Sequence, residues 1–515
     1  MPVNFVTAPG ISLRTACFAD GVYDAGGATR CFSNLLAAGY RRYTLDVYWD
    51  VDRSTWNLCP VQIGNVGGGA SIFSLPRITS TPVIALSTVR ITERDAVLPT
   101  PWAAIRNFIG RRQAQSSSSS PTSSSLSSSI VSVSESSSST VTVSASLVSS
   151  SSAPTVSSST SSIPSYFIND TVIDAGSYRC STNLTLLFFM GTLAEFLGKS
   201  MNTLEASLIY LTLDIHTAVP RDDPDGIAPT PNTSDLPVGG QFLSTVLGQN
   251  LSSYLYTPSE LISDRADLNN SWYKLPFESQ PDVSYYETVR QSSTVYSTPD
   301  GWPGESYIEF QKSKRLLVEF GNVDIQMRNY NFSADEAAIF QHNFIRTNRN
   351  VSISGNGTVT RGCYLVDGDY RVSSSNNNSW AEASFGSSEL QSSEQNFANG
   401  TFYSVGNMSA CGISPFLNQT LNNATADENL APYLIVPLSA IWSWAPGEPR
   451  NVSSDEENSD SLRCAVMDMS LRGRWRVADC NDHFNWACRT GSTPYEWQIS
   501  EDTGSYEGVA AAGCG

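Results

Sequence analysis

The sequence predicts an α/β barrel followed by a small disulfide-bonded α+β domain. Two observations point to the barrel. Continuous apolar runs of strand length recur between residues 8 and 350, and helical patterns separate them, as in a parallel sheet covered by helices. A third observation points to the second domain. From about residue 351 to 515 Asn, Ser and Gly dominate and the last cysteines bunch together, the mark of a loop-rich domain held by bridges.

The elements follow in order. Tyr40 to Tyr48 reads as a strand leading into Trp49-Asp50. Leu184 to Leu204 reads as a helix, with Leu187, Met190, Leu193, Phe196 and Leu197 on one face. Leu208 to Ile215 is a second strand. Pro258 to Asp264 opens a short helix with proline at its start. Lys314-Arg315 precedes a further strand, Leu316 to Phe320. Residues 115 to 163 are nearly all Ser, Thr, Val, Ala and Pro. Such a run buries too little apolar surface to offset its chain entropy, and is expected to be a disordered, O-glycosylated loop inserted within the barrel domain.

Composition excludes some functions. The net charge is -18, from 31 basic and 49 acidic residues. Nucleic-acid affinity rests on neutralising phosphates with Lys and Arg, so no direct nucleic-acid partner is expected. Ten cysteines, with no C-x-x-C pair, argue for disulfides in an oxidising compartment rather than a zinc ribbon. Cys59 and Cys180 stand on either side of the Ser-rich run, and a bridge between them is one expectation. Fourteen N-x-S/T sequons mark candidate glycosylation sites: Asn169, Asn183, Asn232, Asn250, Asn269, Asn331, Asn350, Asn356, Asn377, Asn399, Asn407, Asn418, Asn423 and Asn451. No leader and no apolar run long enough to span a membrane is visible, and both termini are expected to be incomplete.

The acidic groups at strand ends are the candidates for chemistry, because that face of a barrel carries active sites. They are Asp46, Asp50, Asp214 and Glu319, together with His216. A carboxylate pair could cleave a glycosidic bond if suitably spaced; structural ion pairs are the competing reading. His342 and His483 have no evident partners. Neither a cofactor nor a metal is expected.

Three resemblances refine this. Trp444-Ala445-Pro446-Gly447-Glu448-Pro449, then Cys464, Gly473-Arg474-Trp475, Cys480 and Cys488, resembles the C-type lectin-like domain. That resemblance implies bridges Cys464–Cys480 and Cys411–Cys488, and ligand contacts from Trp444, Glu448 and Asn451. The family's Ca²⁺ ligands are altered here: Arg450 follows Glu448-Pro449, and Arg476-Val477 follow Trp475. The stretch Gly39 to Asp50, with Gly301-Trp302-Pro303 and Lys314 to Val318, resembles the barrel of phosphatidylinositol-specific phospholipase C. That family uses a histidine pair after its first two strands, and the first histidine of this chain is His216. Pairings of Cys17, Cys31, Cys363 and Cys514 stay open.

Finally, Pro9 to Cys17, Gly39 to Arg42 with Asp46 and Trp49, Ser297 to Pro303, Cys411 to Asn418 and Ile441 to Asn451 resemble the fungal family called maintenance of telomere capping protein 6. The resemblance implies a type I membrane glycoprotein with one C-terminal span, and a genetic, indirect role in telomere capping. The expected function is a non-catalytic lumenal or cell-surface ectodomain binding a protein or glycan ligand. The alternatives are a barrel hydrolase using the strand-end carboxylates and a structural wall or stalk protein.

Overall fold

The computed structural model describes residues 1–64, 171–200, 206–292, 294–354, 358–364, 380–385 and 404–441. Beyond these it describes 444–445, 448, 461–471, 474–489 and 497–511. The Ser-rich run, Cys514, Arg450, and Asn169, Asn356, Asn377, Asn399 and Asn451 lie outside the described residues.

Seven parallel strands form a partial barrel. They are β1 (Gly10–Ser12), β2 (Arg42–Asp50), β3 (Ile209–Thr217), β4 (Leu316–Val323), β5 (Thr347–Asn348), β6 (Ala381–Ser384) and β7 (Ser414–Leu417). Their spatial order is β4-β3-β2-β1-β7-β6-β5, so the chain runs round the ring in sequence order. Phe340 draws the two edges together. It bonds β4 on both sides, through its own N–H to Val318 and its carbonyl to Phe320, and β5 starts seven residues later. The short strand Thr55–Asn57 pairs antiparallel with β2.

Helices cover the outside. Helix α1 (Leu13–Cys17) follows β1 directly, and α2 (Ala25–Ala38) is capped by Asp24, which accepts from Gly27 N–H at 2.5 Å. It ends at Gly39, whose φ of 105° is the left-handed conformation a helix stop favours. Its buried stripe, Ala28, Cys31, Phe32, Leu35 and Leu36, has helical spacing. Helix α3 (Leu186–Lys199) lies within the predicted range and buries Met190, Leu193 and Leu197 of the expected face, but not Leu187 or Phe196. Leu186, Phe189, Met190, Leu193 and Leu197 point inward, while Leu187 is 40% exposed. Thr185 caps it through Phe188 N–H, which fixes that phase. Helices α4 (Leu243–Leu251) and α5 (Pro258–Ala266) precede β4; α5 opens with the expected proline and a Thr257–Glu260 capping box. Helix α6 (Ala431–Ile441) follows β7.

The long strands are not uniformly apolar; they alternate. Tyr43, Leu45, Val47 and Trp49 of β2, Ile209 to Ile215 at odd positions of β3, and Leu316, Val318 and Phe320 of β4 are buried, and nearly all join the core beneath the helices. The even positions of β2 and β3 face the lumen. The lowest layer, Tyr210 and Leu317, belongs to a second apolar cluster with Val3, Trp302, Phe340, Ile345 and Trp380. That cluster plugs the N-terminal end of the barrel. Apart from Arg42, which stands level with Tyr210, the lumen becomes polar toward the C-terminal ends of the strands.

The predicted boundary at 350 is corrected. Strands β6 and β7 complete the same parallel sheet, and β7 pairs with β1. Four-residue strands in an Asn- and Ser-rich setting carry almost no period-two signal, so the sequence hides them. The lectin-like pairing of Cys411 with Cys488 is corrected with it. Cys411, just before β7, is bridged to Cys363, and Cys488 is disulfide-bonded elsewhere. Three further bridges join Cys17 to Cys31, Cys59 to Cys180 and Cys464 to Cys480.

After α6 come two antiparallel hairpins. One pairs β8 (Cys464–Asp468) with β9 (Arg474–Ala478), the other β10 (Phe484–Arg489) with β11 (Trp497–Gly504). Among the described residues no helix is long and apolar enough to cross a membrane.

Candidate functional site

The site is the polar end of the barrel lumen, and its layers follow from strand register. Thr44, Thr212 and Glu319 stand level on β2, β3 and β4. One layer up, Asp46 stands level with Asp214; above that, Tyr48 stands level with His216. Period-two alternation puts all of these on the lumen side. Asp46, Asp214, His216 and Glu319, four candidates spread over nearly 300 residues of sequence, thus share one lumen.

His216 is the hub. Its Nε2 lies 3.0 Å from Asp46 Oδ1 and its Nδ1 lies 2.8 Å from Asp324 Oδ2. Tyr48 stacks on the ring at 4.9 Å. Burial alone would lower the imidazole, but the two carboxylates outweigh it and hold its pKa above the usual value. Each ring nitrogen is thus engaged by a carboxylate of the chain itself. The Arg14 guanidinium stands 4.0 Å from Asp46 and is 59% exposed, while Asp46 and His216 are 12% and 15% exposed.

Asp214 is held by one residue. Asn322 gives its backbone N–H to Oδ1 at 2.7 Å and its side-chain amide to Oδ2 at 3.1 Å. Burial raises this carboxyl above its ordinary range, the Asn322 donors oppose that, and neighbouring Asp46 adds to it. Glycine is required at 321: a Cβ there would stand 1.9 Å from Asp214 Oδ1. Below, Glu319 is buried and accepts from Thr212 Oγ1 at 3.2 Å and from Ile345 N–H at 2.9 Å. Burial pushes its pKa up to about 7, with Glu382 adding to it and Arg346 opposing. Glu382 itself lies between Arg42 at 3.7 Å and Arg346 at 3.8 Å, a buried ion triad.

The remaining candidates are placed elsewhere. Asp50 is fully buried and accepts from Asn57 Nδ2, Ile63 N–H and Arg53 N–H, so it anchors the turn after β2. Glu448 accepts from Val477 N–H at 3.0 Å, and Trp444 bridges Trp475; both serve the chain's own backbone. Asn183, Asn232, Asn250, Asn269, Asn331, Asn350, Asn418 and Asn423 are exposed, and Asn407 is half-buried.

The sequence reading missed Asp324, Asn322, Arg346 and Glu382. Asp324 and Asn322 sit where the strand pattern of β4 fades; Arg346 stands just before β5 and Glu382 on β6, strands too short to read. The usable signal was the run Glu319-Phe320-Gly321-Asn322-Val323-Asp324, polar at a strand's C-terminal end.

A family model described as the MTC6 partial TIM-barrel domain matches residues 1–436. Curated relatives named maintenance of telomere capping protein 6 match as well. That of Lachancea thermotolerans is 25% identical over 325 residues, 62% of this chain and 53% of the relative. That of Saccharomyces cerevisiae is 23% identical over 359 residues, 66% and 56%. That of Yarrowia lipolytica is 24% identical over 286 residues, 52% and 36%. This chain covers little more than half the length of the first two. No solved structure matches. The model spans every strand of the ring and the whole polar lumen, and the chain therefore belongs to the family of the MTC6 partial TIM-barrel domain.

Proposed function

We propose that this chain is the lumenal or extracellular part of a glycosylated secretory-pathway protein, and that its barrel mouth binds a ligand without cleaving it. The observation that carries this reading is the state of His216. Both ring nitrogens are engaged by carboxylates of the chain, which leaves neither placed to take a proton from a nucleophile. The phospholipase pattern asks for two histidines earlier in the chain, and His216 comes first.

Four disulfides among the described residues support an oxidising compartment, and eight exposed sequon asparagines fit passage through it. The hairpins after α6 form, in this reading, a lectin-like module with a degenerate Ca²⁺ site. Attachment to a membrane by one C-terminal span, which the family resemblance implies, belongs to the same proposal. So does an indirect part in telomere capping, since an acidic ectodomain has no physical route to DNA.

The test is turnover. The purified secreted chain is offered phosphoinositides, phosphodiesters and nitrophenyl glycosides, and no product is expected. The opposing reading, a barrel hydrolase, draws on Asp46 and Asp214 lying level on neighbouring strands. Product formation that disappears in Asp46→Asn or Asp214→Asn establishes that reading and overturns the first.

A further inference from the structure

We propose, building on the binding reading, that the ligand of the barrel mouth is a neutral polyol: one sugar ring that sets two adjacent hydroxyls against Arg14 and Asp46. The charges at the mouth are mixed. Arg14 lies beside Asp46, His216 lies between Asp46 and Asp324, and Asp214 stands level with Asp46 on the next strand. An anion entering here meets the carboxyl groups of Asp46, Asp214 and Asp324, and a cation meets the Arg14 guanidinium. Hydroxyls both donate and accept, so a neutral ligand rich in them suffers neither repulsion.

The open bonding capacity has the same character. The side chain of Arg14 makes no hydrogen bond to a described residue, and its approach to Asp46 at 4.0 Å is too long to be one. Asp46 spends Oδ1 on His216 and leaves Oδ2 without a hydrogen bond to a described residue. Donors and an acceptor thus stand side by side at the open end of the lumen. One hydroxyl of a vicinal diol donates to Asp46 Oδ2 while its neighbour accepts from Arg14.

The acceptor is fixed before any ligand arrives. Asp324 and Tyr48 hold His216, and His216 holds Asp46, so little ordering cost falls on binding. Half-buried Tyr178 lies near enough to act electrostatically on Arg14, and an aromatic flank suits the C–H face of a sugar ring. Removing one hydroxyl from the ligand leaves a polar group at the mouth unpaired, which selects against deoxy analogues.

The experiment uses the whole secreted chain, with saturation-transfer NMR and calorimetry. The probes are methyl glycosides of mannose, glucose and galactose with their deoxy analogues, and inorganic phosphate and choline as ionic probes. The expected result is saturable binding of at least one hexoside, with a dissociation constant of order 1 mM. A deoxy analogue, Arg14→Met and Asp46→Asn each weaken it roughly tenfold. Arg14 is exposed, so its variant folds, and amide spectra confirm this. Glu448→Gln, in the hairpin module, leaves binding unchanged. No hexoside binding by a folded chain, preference for phosphate or choline, or loss in Glu448→Gln but not in Arg14→Met overturns the polyol proposal. Hydrolysis of a bound glycoside in the same tube sinks only the non-catalytic reading and leaves the polyol as substrate.

Discussion

Glu319→Gln isolates one proton in the middle of the barrel. Burial shifts the Glu319 carboxyl from 4.5 to about 7, with Glu382 pushing the same way and Ile345 N–H, Arg346 and Thr212 pulling back. Between those values the folded chain keeps a proton that the unfolded chain has released. Stability from this group is therefore full below pH 4.5 and is lost as pH rises to about 7. The slope is about -1.4 kcal/mol per pH unit, and the total is about 3 kcal/mol. Glutamine keeps the shape and can still accept from Ile345 N–H, but has no proton to lose. Urea unfolding of both chains from pH 4.5 to 7.5 checks this. Every other titrating group cancels in the difference, so wild-type stability minus that of the variant falls by about 3 kcal/mol across the range. A difference that stays flat, or that rises with pH, refutes the claim that burial of Glu319 outweighs the opposing Arg346 charge and hydrogen bonds.

Three further outcomes are expected. Gly321→Ala puts a Cβ 1.9 Å from Asp214 Oδ1 and 2.7 Å from Thr212 Cγ2; it destabilises by about 1–3 kcal/mol in thermal unfolding, and Asp214→Ala in the same chain recovers part of that loss. Full stability of the single variant contradicts the crowding. Asp324→Asn removes one of the two carboxylates that raise the His216 pKa, so imidazole NMR shows the ring titrating at lower pH; an unmoved titration rules out the 2.8 Å contact. A peptide map under non-reducing conditions joins Cys363 to Cys411, and Cys363→Ser costs about 2–4 kcal/mol. Recovery of a Cys411–Cys488 peptide instead would restore the lectin-like pairing.

The comparison of sequence with structure is uneven for physical reasons. The long strands around Asp46, Asp214 and Glu319 announce themselves, because eight or nine residues in the core leave a readable apolar run. The cap of α5 was equally plain, since Thr257, Pro258 and Glu260 act within four residues. On α3 the expected Met190, Leu193 and Leu197 are buried, but Leu186 and Phe189 take the places expected of Leu187 and Phe196; these pairs are equal in hydrophobicity, and only the docking surface chooses between them.

What the sequence by itself determined was local or additive: acidity, sequons, oxidisable cysteines, the long strands and the absence of histidine before His216. What the tertiary structure alone decided was adjacency. That Cys411 meets Cys363, that residues 414–417 pair with β1 and 381–384 pair with them in turn, and that Asp324 reaches across to His216 all join positions far apart in the sequence. Such contacts are selected by the assembly of the whole partial barrel, which strand register sets and no local pattern encodes.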